Sequence, residues 1–385
     1  MYDFNYVLNR QNTKSEKWDT LENSESIPFT VADTDFATAP PIMEAIIERS
    51  THPILGYTVL EDSFYNSIID FCQRRYNINL KKNMLFVTPG VMVGVGIAID
   101  AWTKEGDDII IQTPVYTPFF RVIEKNKRKL IRNPLKIVNG KYTIDFDNLE
   151  EGMKKAKVFL LCNPHNPTGR VYTKEELDKI VELAEKYSVL IISDEIHSDI
   201  IYKGNKHLSI SSINEYARSN SITMIAPSKT FNIPGLATSV VIIPDEKLRY
   251  IFFSKLRALG LHEGNAFGVI ALEAAYTKCD IWLNELIVYL ESNRDYVLNY
   301  IKNNIPGIKI SSPEGTFLMW LDFSIYGDHK KIQEVLIKNN VILTDGLIYG
   351  EEGLGYLRLN IGCPLNTLTE GLVRISRAVK ELTNG

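Results

Sequence analysis

The segment KVFLLCNPHNPTGRVYTKEELDKIVELAEKYSVLIISDEIH (residues 157–197) decides the fold. Its flanking runs, KVFLLC (157–162) and SVLIIS (188–193), are nearly continuous apolar stretches rather than polar/apolar alternations. Strands covered on both faces of a mostly parallel sheet read this way. Between the runs, Thr173 stands where a helix cap belongs, and Glu176, three residues on, can reach back to the cap's own N–H. Leu177, Ile180, Val181 and Ala184 then recur at the spacing of one helical face. A strand, a helix and a second strand in this order predict an α/β fold with covered sheet faces.

The rhythm continues in both directions. MLFVT (84–88), DIIIQT (108–113), SITMIA (221–226) and TSVVII (238–243) are further buried-strand runs. The C-terminal part differs. A long helical stretch over about 282–303 ends before Pro306-Gly307, since proline cannot continue a helix. Strand-like pieces follow at GTFLMWLDF (315–323), VILTD (341–345) and GYLRLNIG (355–362), and a helix near 366–382 closes the chain. The expected organisation is an N-terminal arm (1–45) joining a small α+β domain (285–385), with a large α/β domain (46–284) between them.

A chain of 385 residues, 45% hydrophobic and 23% charged, can bury a large core without disulfides or metal staples. The net charge of −4 and pI near 6.0 argue against a polyanion, so no nucleic-acid partner is expected. The one dense basic cluster, Lys125–Lys129 (KNKRK), reads as a solvated helix end. Cys72, Cys162, Cys279 and Cys363 are scattered without CxxC spacing, as free thiols of a reducing cytoplasm are. No HExxH pair occurs, and no metal is expected. The N-terminal MYDFNYVLNRQNTKSEKWD (1–19) lacks an apolar signal core. The longest uncharged run, Met84 to Ile99, falls short of the roughly 18 residues of a membrane span. The expectation is a cytoplasmic protein with no membrane partner.

In open α/β sheets, ligands bind outside the carboxyl ends of the strands. The residues just after each run are therefore informative. Gly90, Val91 and Met92 come after the first, opening a helix; Tyr116 follows the second; Asn166, within NPHNPTG (163–169), follows the third. Asp194, Glu195 and His197 follow the fourth, and Ser228 and Lys229 the fifth. Singly these have ordinary readings: a solvated lysine, a helix cap, a plain Asn-Pro turn, a core tyrosine. If the strands share one sheet, a glycine turn, a tyrosine, an asparagine, an aspartate and a lysine meet in one crevice.

Taken in order, NPHNPTG (163–169), SDEIH (193–197) and PSKTFNIPG (227–235) resemble the fold-type I pyridoxal phosphate enzymes of the aminotransferase superfamily. The resemblance is closer to the bacterial cystathionine β-lyase-like C–S lyases. It runs through KWD (17–19), VADTDF (31–36), GYT (56–58), TPGV (88–91), PVYTPFF (114–120), CNPHNPTGRV (162–171), APSKTFN (226–232) and YLRLNIGCP (356–364), nearly the whole chain. It implies a seven-stranded type of mostly parallel sheet in the large, cofactor-binding domain.

The resemblance also implies roles. Pyridoxal 5′-phosphate would be anchored covalently on Lys229, which, once displaced by substrate, acts as the base at Cα. Asp194 would pair with the ring nitrogen, Asn166 with the phenolic oxygen, and Tyr116 would stack on the ring. Gly90, the N–H groups of Val91 and Met92, and the Ser228 hydroxyl would hold the phosphate. Tyr57 of GYT would reach the phosphate of a neighbouring subunit, which implies a homodimer. Arg358 would bind the α-carboxylate of an amino-acid substrate with two parallel hydrogen bonds.

Two departures from the wider superfamily stand out. His197 replaces the tyrosine common three residues after the aspartate, and Ala237 replaces a phosphate-binding arginine eight residues after the lysine. Both agree with the C–S lyase branch. The expected activity is α,β-elimination on L-cystathionine or an L-cysteine-type amino acid, with transamination using a 2-oxo acid as the alternative. A dinucleotide-binding reading of Gly94-x-Gly96 fails, because Ile99 stands where the third small residue belongs.

Overall fold

The computed structural model describes residues 2–261 and 264–384. In chain order its strands are β1 (Ile27–Phe29), β2 (Leu85–Thr88), β3 (Asp108–Thr113) and β4 (Lys129–Pro134), then a hairpin of β5 (Lys136–Val138) and β6 (Lys141–Thr143). They continue as β7 (Val158–Cys162), β8 (Leu190–Asp194), β9 (Ser221–Ile225), β10 (Ser239–Ile242), β11 (Lys309–Ile310), β12 (Leu318–Asp322), β13 (Val341–Asp345) and β14 (Tyr356–Asn360).

The large sheet has seven strands in the order β2-β10-β9-β8-β7-β3-β4. All run the same way except β10, which is antiparallel to both its neighbours. Successive side chains point to opposite faces of a strand, and both faces are covered. Ile110, Phe159, Leu161 and Ile191 pack with Leu177, Ile180 and Val181 of the helix Lys174–Tyr187 on one side. Ile109, Ile111, Leu160, Ile192 and Met224 pack with Val95 and Ile99 of the helix Val91–Trp102 on the other. This two-sided burial is why the strands read as continuous apolar runs. Each such side chain contributes roughly 1.5–3 kcal/mol. The predicted cap at Thr173 is a full capping box with Glu176.

The basic cluster Lys125–Lys129 corrects its sequence reading. Lys125 does end the helix Pro118–Lys125, but Lys129 already opens β4. Arg128 between them is turned inward, donating from Nη2 to the Thr103 carbonyl (2.6 Å) and from Nε to Thr103 Oγ1 (2.8 Å). Its aliphatic stem tolerates burial while the fork satisfies backbone oxygen.

A second sheet, β1-β13-β14-β12-β11, lies to the C-terminal side of the chain. β1, from the N-terminal arm, pairs in parallel with β13, Ile27 opposite Val341. The helix Asp280–Asn304 runs without a break across residue 284, and its Leu286, Leu290 and Val297 share a core with Leu357, Leu359 and Leu372. Among the described residues, no helix is long and apolar enough to cross a membrane.

Candidate active site

The carboxyl ends of the parallel strands open on one cavity of about 230 Å³. Gly90, Val91, Met92, Tyr116, Asn166, Asp194, His197, Ser228 and Lys229 all line it. Arg358 joins through Asn166. Tyr57 does not: it is 96% exposed in a loop with Ile54, Leu55 and Val59, themselves exposed, and it is not among the residues lining this cavity.

One end of the cavity is built for an anion. Gly90 caps the helix Val91–Trp102 at φ 114° and ψ 150°, a conformation open to glycine and strained for other residues. A Cβ there would meet nothing within 4 Å, so it would project into open space of the cradle. The helix's first backbone bonds close from Val93 and Gly94 to the Gly90 carbonyl. Val91 and Met92 N–H therefore have no intrahelical acceptor, at the positive end of the helix dipole. Ser228, in the short helix Pro227–Thr230, lies on the same wall as Ala237 and Thr238.

The other end holds a carboxyl group without a cation bonded to it. Asp194 Oδ1 accepts the Ile196 N–H at 3.1 Å, and the residue is almost completely buried. Burial pushes its pKa up to about 7, against the Ile196 N–H and the charge of Lys229, which lower it. Lys229 moves the opposite way. Burial first, then the positive charge of Arg358, bring its pKa down to about 8, while Asp33, Asp194 and Glu16 oppose the fall. Its Nζ donates to the Ala32 carbonyl at 2.7 Å. His197 is buried with Nδ1 unpartnered, edge-on to Phe317, and burial lowers its pKa to about 3, so it is neutral. Burial, then the Asp194 charge, raise the Tyr116 phenol to about 12, so it stays protonated.

Arg358 supplies a cation fork. Leu357 and Leu359 bury the opposite face of β14, leaving Arg358 to point toward the site. Nη1 donates to Asn166 Oδ1 (3.2 Å) and Nη2 to the Thr30 carbonyl (2.5 Å), with the guanidinium 5.3 Å from the Tyr349 ring centroid. Its buried Nε has no partner. A buried donor without an acceptor is costly, and it leaves one guanidinium N–H open to a ligand. The cavity could thus hold a group that carries an anion and a basic nitrogen.

Of the cavity residues that the sequence did not put forward, Thr238 and Ala32 have clear structural reasons. Thr238 precedes β10 rather than following it, and because β10 runs antiparallel its N-terminal end lies at the ligand edge. The alternating direction of one strand leaves no mark in an apolar run. Ala32 comes from the N-terminal arm, brought in by tertiary bonds from residues far away in sequence.

This sheet, with a buried acid and a lysine at its strand ends and a small second sheet beside it, is the aminotransferase fold of type I. The chain belongs to the aminotransferase class I and II family, whose family model matches residues 24–375. Over 378 residues it is 42% identical to the cystathionine beta-lyase PatB of Bacillus subtilis (strain 168), covering 96% of this chain and 98% of the relative. Among solved structures it superposes on cystalysin from Treponema denticola, which contains a pyridoxal 5′-phosphate cofactor, with a TM-score of 0.96. That match is 36% identical and covers 99% of this chain and 100% of the other. The PLP-bound C–S lyase from Staphylococcus hominis superposes with a TM-score of 0.92 at 31% identity, covering 99% of each chain.

Proposed function

We propose that this protein is a pyridoxal 5′-phosphate-dependent carbon–sulfur β-lyase. It acts on L-cystathionine or an L-cysteine-type amino acid and yields a thiol, pyruvate and ammonia. The observation that carries the reading is the buried Asp194 carboxyl, hydrogen-bonded to one backbone N–H and, among the described residues, to no cationic side chain, in a cavity that also contains an anion cradle. A protonated ring nitrogen matches the first and a phosphate the second, so the residues fit this cofactor. The relatives named as cystathionine β-lyase and C–S lyase support elimination chemistry.

When bound, the cofactor supplies an electron sink for negative charge at the substrate Cα. The chain's residues do the rest. Asp194, ionised beside a cationic nitrogen, keeps that nitrogen protonated. Asn166 would donate from Nδ2 to the phenolic oxygen, and Tyr116 would pack against the ring. The N–H groups of Val91 and Met92 and the Ser228 hydroxyl hold the phosphate. Lys229 would anchor the cofactor, and its free Nζ would take the Cα proton. A lysine whose pKa is brought down to about 8 is about one-tenth free amine at pH 7, far more than an ordinary lysine. Arg358 binds the α-carboxylate, satisfying its free Nε, and aims the Cα–H bond at Nζ. The substrate loses its thiol from Cβ, and one water completes the balance to pyruvate and ammonia.

In this reading the large domain (46–284) holds the cofactor, while the arm (1–45) and small domain (285–385) close over the substrate. The exposed Ile54, Leu55, Tyr57 and Val59 form the face of a homodimer, each Tyr57 reaching the other subunit's phosphate. Four buried free cysteines accord with a cytoplasmic setting.

The test is to incubate the purified protein with L-cystathionine and no 2-oxo acid, and to assay pyruvate and ammonia. Equal release of both supports the lyase. Turnover only on adding a 2-oxo acid replaces it with an aminotransferase and leaves the cofactor site intact. Sedimentation tests the dimer, and a monomer at assay concentration overturns it.

A further inference from the structure

Residues 30–36 form a strap along the site, with Ala32 in the cavity wall. The strap's carbonyls are taken up in turn by side chains from the elements that carry the site. Arg358 Nη2 donates to Thr30 O (2.5 Å), and Asn360 Nδ2 to both Val31 O and Asp33 O (2.7 Å each). Lys229 Nζ donates to Ala32 O (2.7 Å), and Asn232 Nδ2 to Thr34 O (2.9 Å) and Phe36 O (3.0 Å). Asn360 lies two residues beyond Arg358 in β14, so both side chains leave the same face of the strand. Asn360 is fully buried, and its Oδ1 is occupied by the Gly362 N–H at 2.8 Å.

Both ends of the strap are pinned without Asn360. Arg358 holds Thr30, Asn232 holds Thr34 and Phe36, and Arg10 bonds the Asp33 and Asp35 carboxylates at 2.7 Å each. Asn360 sets the middle by bracketing Ala32 on its two sides.

We propose that Asn360 is a positioning residue for Lys229, holding the Ala32 carbonyl as the acceptor to which the freed, protonated Nζ returns. The inference rests on the reading of Lys229 as cofactor anchor and Cα base. When the proton passes from Cα to Nζ, the lysine becomes an ammonium in a buried site, where a charge without an acceptor is costly. Among the described residues, Ala32 O is the acceptor bonded to Nζ. The charges facing Nζ are Arg358 from β14, Asp194 at the end of β8, Asp33 on the strap and Glu16 on the arm, with neutral His197 beside them. Replacing Asn360 by leucine removes none of these charged groups, and Arg10 still holds the Asp33 carboxylate.

The experiment titrates Lys229 in the full-length protein freed of cofactor, by brief acetic anhydride labelling across pH and mass spectrometry of its peptide. Wild type is expected to half-react near pH 8. In Asn360→Leu the charge-assisted bond is lost while the pinned ends keep the site covered, so the midpoint falls by roughly one pH unit. An unchanged midpoint overturns the proposal. So does an upward shift, which would mean that the strap has opened. Ile332→Ala, at a buried position of the helix His329–Lys338, serves as control for general loosening. It is expected to lower the thermal midpoint without moving the labelling midpoint; an equal labelling shift in this variant overturns the proposal. If Asn360→Leu does not fold, Asn360→Ala carries the same prediction. Borohydride reduction of the loaded wild type separates the two readings. A cofactor mass on Lys229 with no titration shift removes the role of Asn360 alone, whereas no such mass removes both.

Discussion

Asp194→Asn isolates the electrostatic argument for the cofactor. In the cofactor-free chain the Asp194 carboxyl titrates near pH 7, against an ordinary 3.8, because burial disfavours its charge. The unfolded chain ionises it from pH 3.8 upward while the folded chain does not. Unfolding then releases a proton, and this group's contribution to stability falls as pH rises through that window, flattening above pH 7. At about 1.4 kcal/mol per unit, a rise of roughly three units sets a ceiling of about 4 kcal/mol. Water entering an open cavity reduces it, so at least ~1 kcal/mol is the working expectation. Asparagine is nearly isosteric and never ionises. Cofactor-free Asp194→Asn is therefore expected to match wild type at pH 4 in urea unfolding and to exceed it at pH 8. With cofactor added the order reverses, because only aspartate pairs with a protonated ring nitrogen. A variant less stable than wild type at pH 8, or a difference independent of pH, would refute the claim that Asp194 is held in wait for a cation.

Three further perturbations test other parts of the site. Arg358→Lys keeps the charge but loses the fork, and kcat/KM on cystathionine should fall at least about 100-fold, mostly through KM; a change within threefold would place the carboxylate elsewhere. Gly90→Ala forces a side chain into a glycine-only conformation, costing about 1–3 kcal/mol. Cofactor affinity, measured by fluorescence titration, should weaken with it, and wild-type affinity would count against the phosphate cradle. Thr173→Ala removes one half of the capping box and should cost about 1 kcal/mol in urea unfolding, with cofactor affinity unchanged.

The sequence announced those strands that are buried on both faces. Six of the seven in the large sheet coincide with apolar runs, because nothing along them has to face water. β4 (KLIRNP) escaped because, unlike the other edge strand β2, it is exposed at both ends and only half-buried for most of its length. Lys129 and Pro134 are exposed, Leu130, Ile131 and Arg132 half-buried, and the preceding basic residues mask its start. The strand-end rule assembled nine of the cavity's residues in one crevice, and it holds as long as strands run parallel. It failed at Thr238, where β10 reverses. The strap was illegible for a different reason. Its conformation is set by Asn360, Asn232 and Arg358 acting on backbone oxygen, and backbone oxygen is the same at every position of a sequence.

The pairing of Ile27 with Val341 has a consequence for biosynthesis. A chain emerging from the ribosome makes β1 before any other strand of the described residues, yet β1 has no partner until more than 300 further residues have followed. The large sheet can form while β1 waits, since all of its strands lie between Leu85 and Ile242. The strap, which continues directly from β1, is seated only when β13 and β14 arrive. Lys229 and Asp194 are in place early, but the wall that shelters them is the last part of the molecule to close.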